Sequence, residues 1–90
     1  MAQAIITVKL MMETPEVSLE KVEEKVKELL DSKEARVGKV EQIPIAFGLK
    51  ALQIIFVADE KLGTESFVED IEKVEGVSNV EVVDFRRALG

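Results

Sequence analysis

The stretch Ile43-Pro44-Ile45-Ala46-Phe47-Gly48-Leu49-Lys50 decides how this chain is read. It lies between two strand-like segments, where a turn is normally polar, yet it is almost wholly apolar. Pro44 suits an edge strand or its end, because proline cannot donate to a ladder. Gly48 permits backbone conformations that other residues avoid. Read as a turn, the stretch puts two strands in immediate succession at the middle of the chain.

Downstream, Leu52, Ile54, Phe56 and Ala58 alternate with Gln53, Ile55, Val57 and Asp59. A strand from about Lys50 to Ala58, apolar on both sides, is expected to be central. Upstream, the segment from about Ala35 to Ile43 is irregular. Val37 and Val40 cannot share a face in an unbroken strand, and Gly38 between them suggests a bulge or an edge position. Near the N-terminus, Ala4, Ile6, Val8, Leu10 and Met12 form one apolar row, with a mixed row between them, until Pro15 ends the strand. Met11 and Met12 read as strand packing. A helix follows, with Ser18 as N-cap, Glu20 in the first turn and Leu19, Val22, Val26, Leu29 and Leu30 as its stripe; it is expected to end near Asp31-Ser32. Glu23 and Lys27 add a weak i,i+4 support. After the turn Asp59-Glu60-Lys61-Leu62-Gly63, Thr64 is expected to cap a second helix that buries Phe67, Val68, Ile71 and Val74, with Gly76 at its C′ position. The last strand, Ser78 to Phe85, is expected to place Val80 and Val82 on one face and Val83 and Phe85 on the other.

The order is β-α-β-β-α-β, two βαβ halves. Right-handed crossovers favour one packing, the α+β ferredoxin-like arrangement: a four-stranded antiparallel sheet of order 4-1-3-2 with both helices on one face. The Phe47 turn then lies at one end of the sheet and Phe85-Arg86-Arg87 at the other, about 25 Å apart for a strand of this length. The two features cannot build one active site, but they can touch two regions of a large partner.

Composition narrows the chemistry. Ninety residues make one domain, residues 1–90, and 47% apolar with 33% charged residues marks an ordered one. A chain of this size buries roughly 60–65% of its unfolded surface. The absence of Cys and His excludes disulfides, thiolate metal sites, ordinary zinc sites and a histidine base. No cofactor or metal is expected. No apolar run approaches the roughly 20 residues of a membrane span, and the first residues do not read as a signal peptide, so a cytoplasmic location is expected. A net charge of −6 argues against nucleic acid. The acidic pairs Glu23-Glu24, Asp59-Glu60 and Glu69-Asp70 could suggest metal ligands or an acid/base pair, but the two helical pairs, Glu23-Glu24 and Glu69-Asp70, diverge by about 100°, and no third ligand or phosphate cradle is present. Ile43 and Ile45 are expected to plug the open end of the core, whereas Phe47 next to Gly48 reads as an exposed contact residue. Arg86-Arg87 is a solvated tail or a pair of cations for a partner's carboxylates or phosphates.

The segment Ile43 to Ile54, continuing through Lys50-Ala51-Leu52-Gln53-Ile54, resembles the signature of the guanine-nucleotide-exchange domain of translation elongation factor one-beta, and the resemblance extends over the chain. It is most similar to the stand-alone archaeal form. The resemblance implies an exchange factor without bond chemistry of its own, acting on elongation factor one-alpha. It implies that the loop residues Ala46, Phe47, Gly48 and Lys50 dock on the partner's second domain. It also implies that the C-terminal end, here Phe85, Arg86 and Arg87, enters near the partner's magnesium and phosphate site. The eukaryotic relatives aim a lysine there; this chain offers Arg87 or Arg86, and Ala88-Leu89-Gly90 extends beyond. From the residues alone, a dimeric small-ligand-binding regulatory domain and an adaptor stay open.

Overall fold

The computed structural model describes residues 3–88; Met1, Ala2, Leu89 and Gly90 lie outside the described residues. Strands β1 (Gln3–Met12), β2 (Arg36–Pro44), β3 (Lys50–Asp59) and β4 (Val77–Ala88) form one sheet in the order β2-β3-β1-β4. Helices α1 (Leu19–Ser32) and α2 (Thr64–Glu72) connect them. Every neighbouring pair is antiparallel. This is the expected α+β ferredoxin-like arrangement, with the two most apolar strands in the middle.

The alternation in the sequence explains the layering. Ala4, Ile6, Val8, Leu10 and Met12 of β1 and Leu52, Ile54, Phe56 and Ala58 of β3 are buried. They share one face because they are paired across the ladder, Ile6 with Phe56 and Val8 with Ile54. Val22, Val26 and Leu30 of α1 and Phe67 and Ile71 of α2 complete the core. Phe56 and Phe67 meet with ring centroids 5.1 Å apart and planes at 57°. Such tilted pairs add about 0.5–1.5 kcal/mol beyond burial. Lys33, just past α1, reaches across to α2: its Nζ lies 2.5 Å from Asp70 Oδ2 and 3.0 Å from Ser66 Oγ, over the Phe67 ring.

Local signals hold at α1, where Ser18 Oγ accepts from the Lys21 N–H and Glu23 pairs with Lys27 at 3.0 Å. The ladder of β2 against β3 slips between Val37 and Lys39, so Gly38 is a bulge in an edge strand, and Val37 and Val40 both return to the core side.

Four expectations are corrected. The cap position of α2 is taken by Gly63 at φ 73°, not by Thr64, which is already helical. The chain leaves the 3-10 turn Glu60–Leu62 through a left-handed residue, a demand that glycine meets without a Cβ penalty. Gly76 is not a C′ residue, because α2 ends at Glu72 with Lys73 as its cap. It serves the following turn instead, at φ 95°, and its carbonyl accepts from the Glu13 N–H at 2.9 Å. Ile43 does not plug the core; it pairs with Ala51, on the side of the sheet away from the helices, and Ile45 is also only half-buried outside the core. The fourth correction concerns β4. Its register against β1 shifts between Thr7 and Val8, leaving Val83 as an extra residue. Val80, Val82 and Phe85 therefore stand opposite Leu10, Val8 and Ile6, all on the helix side. A one-residue insertion exchanges the faces of everything beyond it.

Candidate functional site

The loop Ala46–Gly48 is a tight turn closing the β2–β3 hairpin. Pro44 pairs with Lys50 at its base, the Ile45 N–H donates to Leu49 O at 2.8 Å, and the Leu49 N–H donates to Ala46 O at 3.4 Å. Phe47 sits at φ 64°, ψ 30°, and Gly48 at φ 76°. A left-handed conformation costs an ordinary residue about 1–2 kcal/mol. The loop accepts that cost with its largest side chain 96% exposed. Phe47 therefore contributes nothing to the core, while its backbone is closely constrained. Lys50 flanks a groove between the loop and the start of α1, lined also by Met12, Val17, Leu19 and Gly48.

At the other end, β4 runs alongside the start of β1. Phe85 is 44% exposed opposite Ile6, Arg86 stands opposite Ile5 and Arg87 opposite Ala4. The two arginines thus face opposite sides of the sheet, Arg87 on the helix side. Arg86 Nε lies 2.9 Å from Asp84 Oδ2, two residues earlier on the same face. Arg87 Nε lies 3.4 Å from Glu60 Oε2, in the 3-10 turn that follows β3. The sequence reading assigns neither carboxylate to an arginine. Asp84 was legible as an i,i+2 partner of Arg86 on a strand; Glu60 was not, since only the bulge brings it to Arg87.

The structure gathers Ala46, Phe47, Gly48 and Lys50 at one end and Phe85, Arg86 and Arg87 at the other. Ala51 pairs with Met11 beside the loop, and Asp59 pairs with Gln3, which pairs with Ala88. The eight steps from Ala51 to Asp59 span about 27 Å at roughly 3.4 Å per residue. Among the described residues no cluster of three or more metal-ligating side chains occurs, and no helix is long and apolar enough to cross a membrane.

Residues 5–88 match the family described as the EF-1 guanine nucleotide exchange domain. The chain belongs to this family. Its function is guanine nucleotide exchange on elongation factor 1-alpha in translation elongation. The chain is 39% identical to elongation factor 1-beta of Methanothermobacter thermautotrophicus over 99% of its own length and 100% of that protein's. Identity to elongation factor 1-beta of Methanosarcina acetivorans is 40%, over 97% of this chain and 99% of that one. Among solved structures, the ACT domain from GTP pyrophosphokinase of Chlorobium tepidum superposes with a TM-score of 0.63 at 10% identity, covering 88% of this chain and 96% of that one. At that identity the likeness shows the fold alone.

Proposed function

We propose that the chain, acting as one exchange domain over residues 1–90, promotes GDP release by gripping elongation factor 1-alpha at two separated places. Phe47, supported by Ala46, Gly48 and Lys50, anchors one domain of the partner. Phe85, Arg86 and Arg87 reach the nucleotide end, where a guanidinium competes for the carboxylates and phosphate that hold the magnesium ion. The observation that carries this reading is the pairing of a 96% exposed phenylalanine, held in a left-handed turn, with two arginines at the far end of the same sheet.

The energetics follow from linkage. A factor that bound all states of the GTPase equally would shift nothing. The arginine end supplies the difference between nucleotide-bound and nucleotide-free states, and the aromatic anchor supplies affinity that offsets the disruption. The domain makes and breaks no bond of its own. It works in the cytoplasm on a protein surface, and its net charge of −6 suits that partner better than RNA. The test is direct. Cognate elongation factor 1-alpha is loaded with fluorescent GDP and release is followed against added protein. Acceleration that saturates is expected; an unchanged release rate at high protein concentration refutes the proposal.

A further inference from the structure

The bulge at Val83 chooses which arginine meets the body of the domain. Without the extra residue, Arg86 would share the face of Val80 and Val82. With it, Arg87 stands opposite Ala4 on the helix side, beside the 3-10 turn Glu60–Leu62. That turn is itself fixed, because Asp59 Oδ1 accepts from the Lys61 N–H at 2.9 Å. Glu60 Oε2 is shielded from solvent and accepts no hydrogen bond among the described residues, yet Arg87 Nε lies 3.4 Å from it. A shielded carboxylate oxygen whose nearby charge is one guanidinium favours keeping that cation close. The closest approach is through Nε, and a guanidinium carries four further N–H groups on its terminal nitrogens.

We infer that Glu60 is a positioning residue for nucleotide exchange: it holds Arg87 by Nε at the end of β4 and leaves the terminal nitrogens for the partner. Arg86 is held differently, by Asp84 on its own strand and on the opposite face. Among the described residues, Glu60 therefore makes the ion pair that ties the arginine end to the turn that follows the central strand β3. Fixing one long, flexible side chain before docking removes an ordering cost that would otherwise fall on the productive complex. The inference rests on the proposed role of the C-terminal arginines.

The test combines exchange kinetics with a readout of the free protein. In the free domain, the Arg87 Nε–Hε cross-peak is expected to move in Glu60→Gln and to return toward its original position in Glu60→Asp. In exchange, Glu60→Gln is expected to lower the maximal GDP-release rate about three- to tenfold, the size of a direct pair coupling, with half-saturation unchanged. The double variant Glu60→Gln/Arg87→Ala is expected to be no slower than Arg87→Ala. An unmoved Nε resonance overturns the inference. So does a Glu60→Gln rate equal to or above that of the unsubstituted protein while Arg87→Ala is slow, and that result leaves the proposed function standing. Failure of the unsubstituted protein to accelerate release removes the proposed function first.

Discussion

Replacing Phe47 separates docking from folding. The side chain is 96% exposed in the free domain and packs against nothing in the core. Phe47→Ala therefore removes almost no burial, and its effect on stability is expected to stay within about 0.5 kcal/mol. Docked in a partner pocket, the ring would gain about 1.5–3 kcal/mol from burial. Half-saturation for exchange should then rise about 10- to 150-fold, at 1.4 kcal/mol per tenfold. Phe47→Gly supplies the control. It removes the same ring and also relieves the left-handed backbone at φ 64°, worth about 1 kcal/mol and partly offset by the freedom glycine gains when unfolded. The two variants should lose the same affinity while the glycine form melts at the same or a higher temperature. The assay is release of fluorescent GDP titrated with each variant, beside thermal denaturation. Unchanged half-saturation in both variants would refute an anchoring role. A melting temperature that fell by more than about 5 °C in Phe47→Ala would mean that the ring supports the fold, and the reasoning from exposure would be wrong.

Two further perturbations address stability. Gly48→Ala meets open space and should cost only the left-handed backbone term, about 1 kcal/mol, whereas a Cβ at Gly76 would lie 2.7 Å from Val17 Cγ1 at φ 95°, so Gly76→Ala should cost about 2 kcal/mol or more. Denaturant melts of the two variants check the order, and equal losses would contradict it. Asp70 is held below the ordinary carboxylate range by hydrogen bonding and charge from Lys33, against a smaller opposing effect of desolvation. Because its folded pKa is depressed, the stabilisation is present above the unfolded pKa and fades as pH falls through the folded one. The melting-temperature advantage over Asp70→Asn should be constant above about pH 5 and shrink below about pH 4. A pH-independent difference would refute this account of the pair.

Much of the fold is legible because periodicity and burial agree. The even positions of β1 and β3 name the core side, and the glycine between Val37 and Val40 points to a bulge or an edge position. The second bulge is silent. Val82-Val83 carries no glycine, and either valine fits a strand, so only the ladder with β1 reveals that Phe85 and Arg87 return to the helix side. The same silence hid Glu60, whose approach to Arg87 depends on that register. Gly76 and Thr64 were misplaced because helix-end rules assume the nearest glycine or hydroxyl. Here the chain needed left-handed residues for its turns, and Gly63 and Gly76 supplied them. The exposed end of the hairpin was legible for a different reason. An apolar turn conflicts with local rules, and such conflicts gather at functional positions.

The central strand connects these observations. β3 begins at the base of the Phe47 loop and ends at Asp59, next to the residue that pairs with Arg87. Its inward row, Leu52, Ile54, Phe56 and Ala58, is almost fully buried, and both its edges are hydrogen-bonded. A strand buried on one face and paired on both edges resists lengthening or bending. The separation of the loop and the arginines, about 20–24 Å along the ladder, is thus set by the best-packed element of the domain and not by a loop. On the proposed reading, affinity gained at Phe47 is available at the arginine end, because the strand between them is buried on one face and paired on both edges. A flexible connector would let the arginines drift back from the nucleotide site while the ring stayed docked, and binding would no longer favour release. If the two contacts act as proposed, this requirement gives a physical reason for placing them at opposite ends of one sheet.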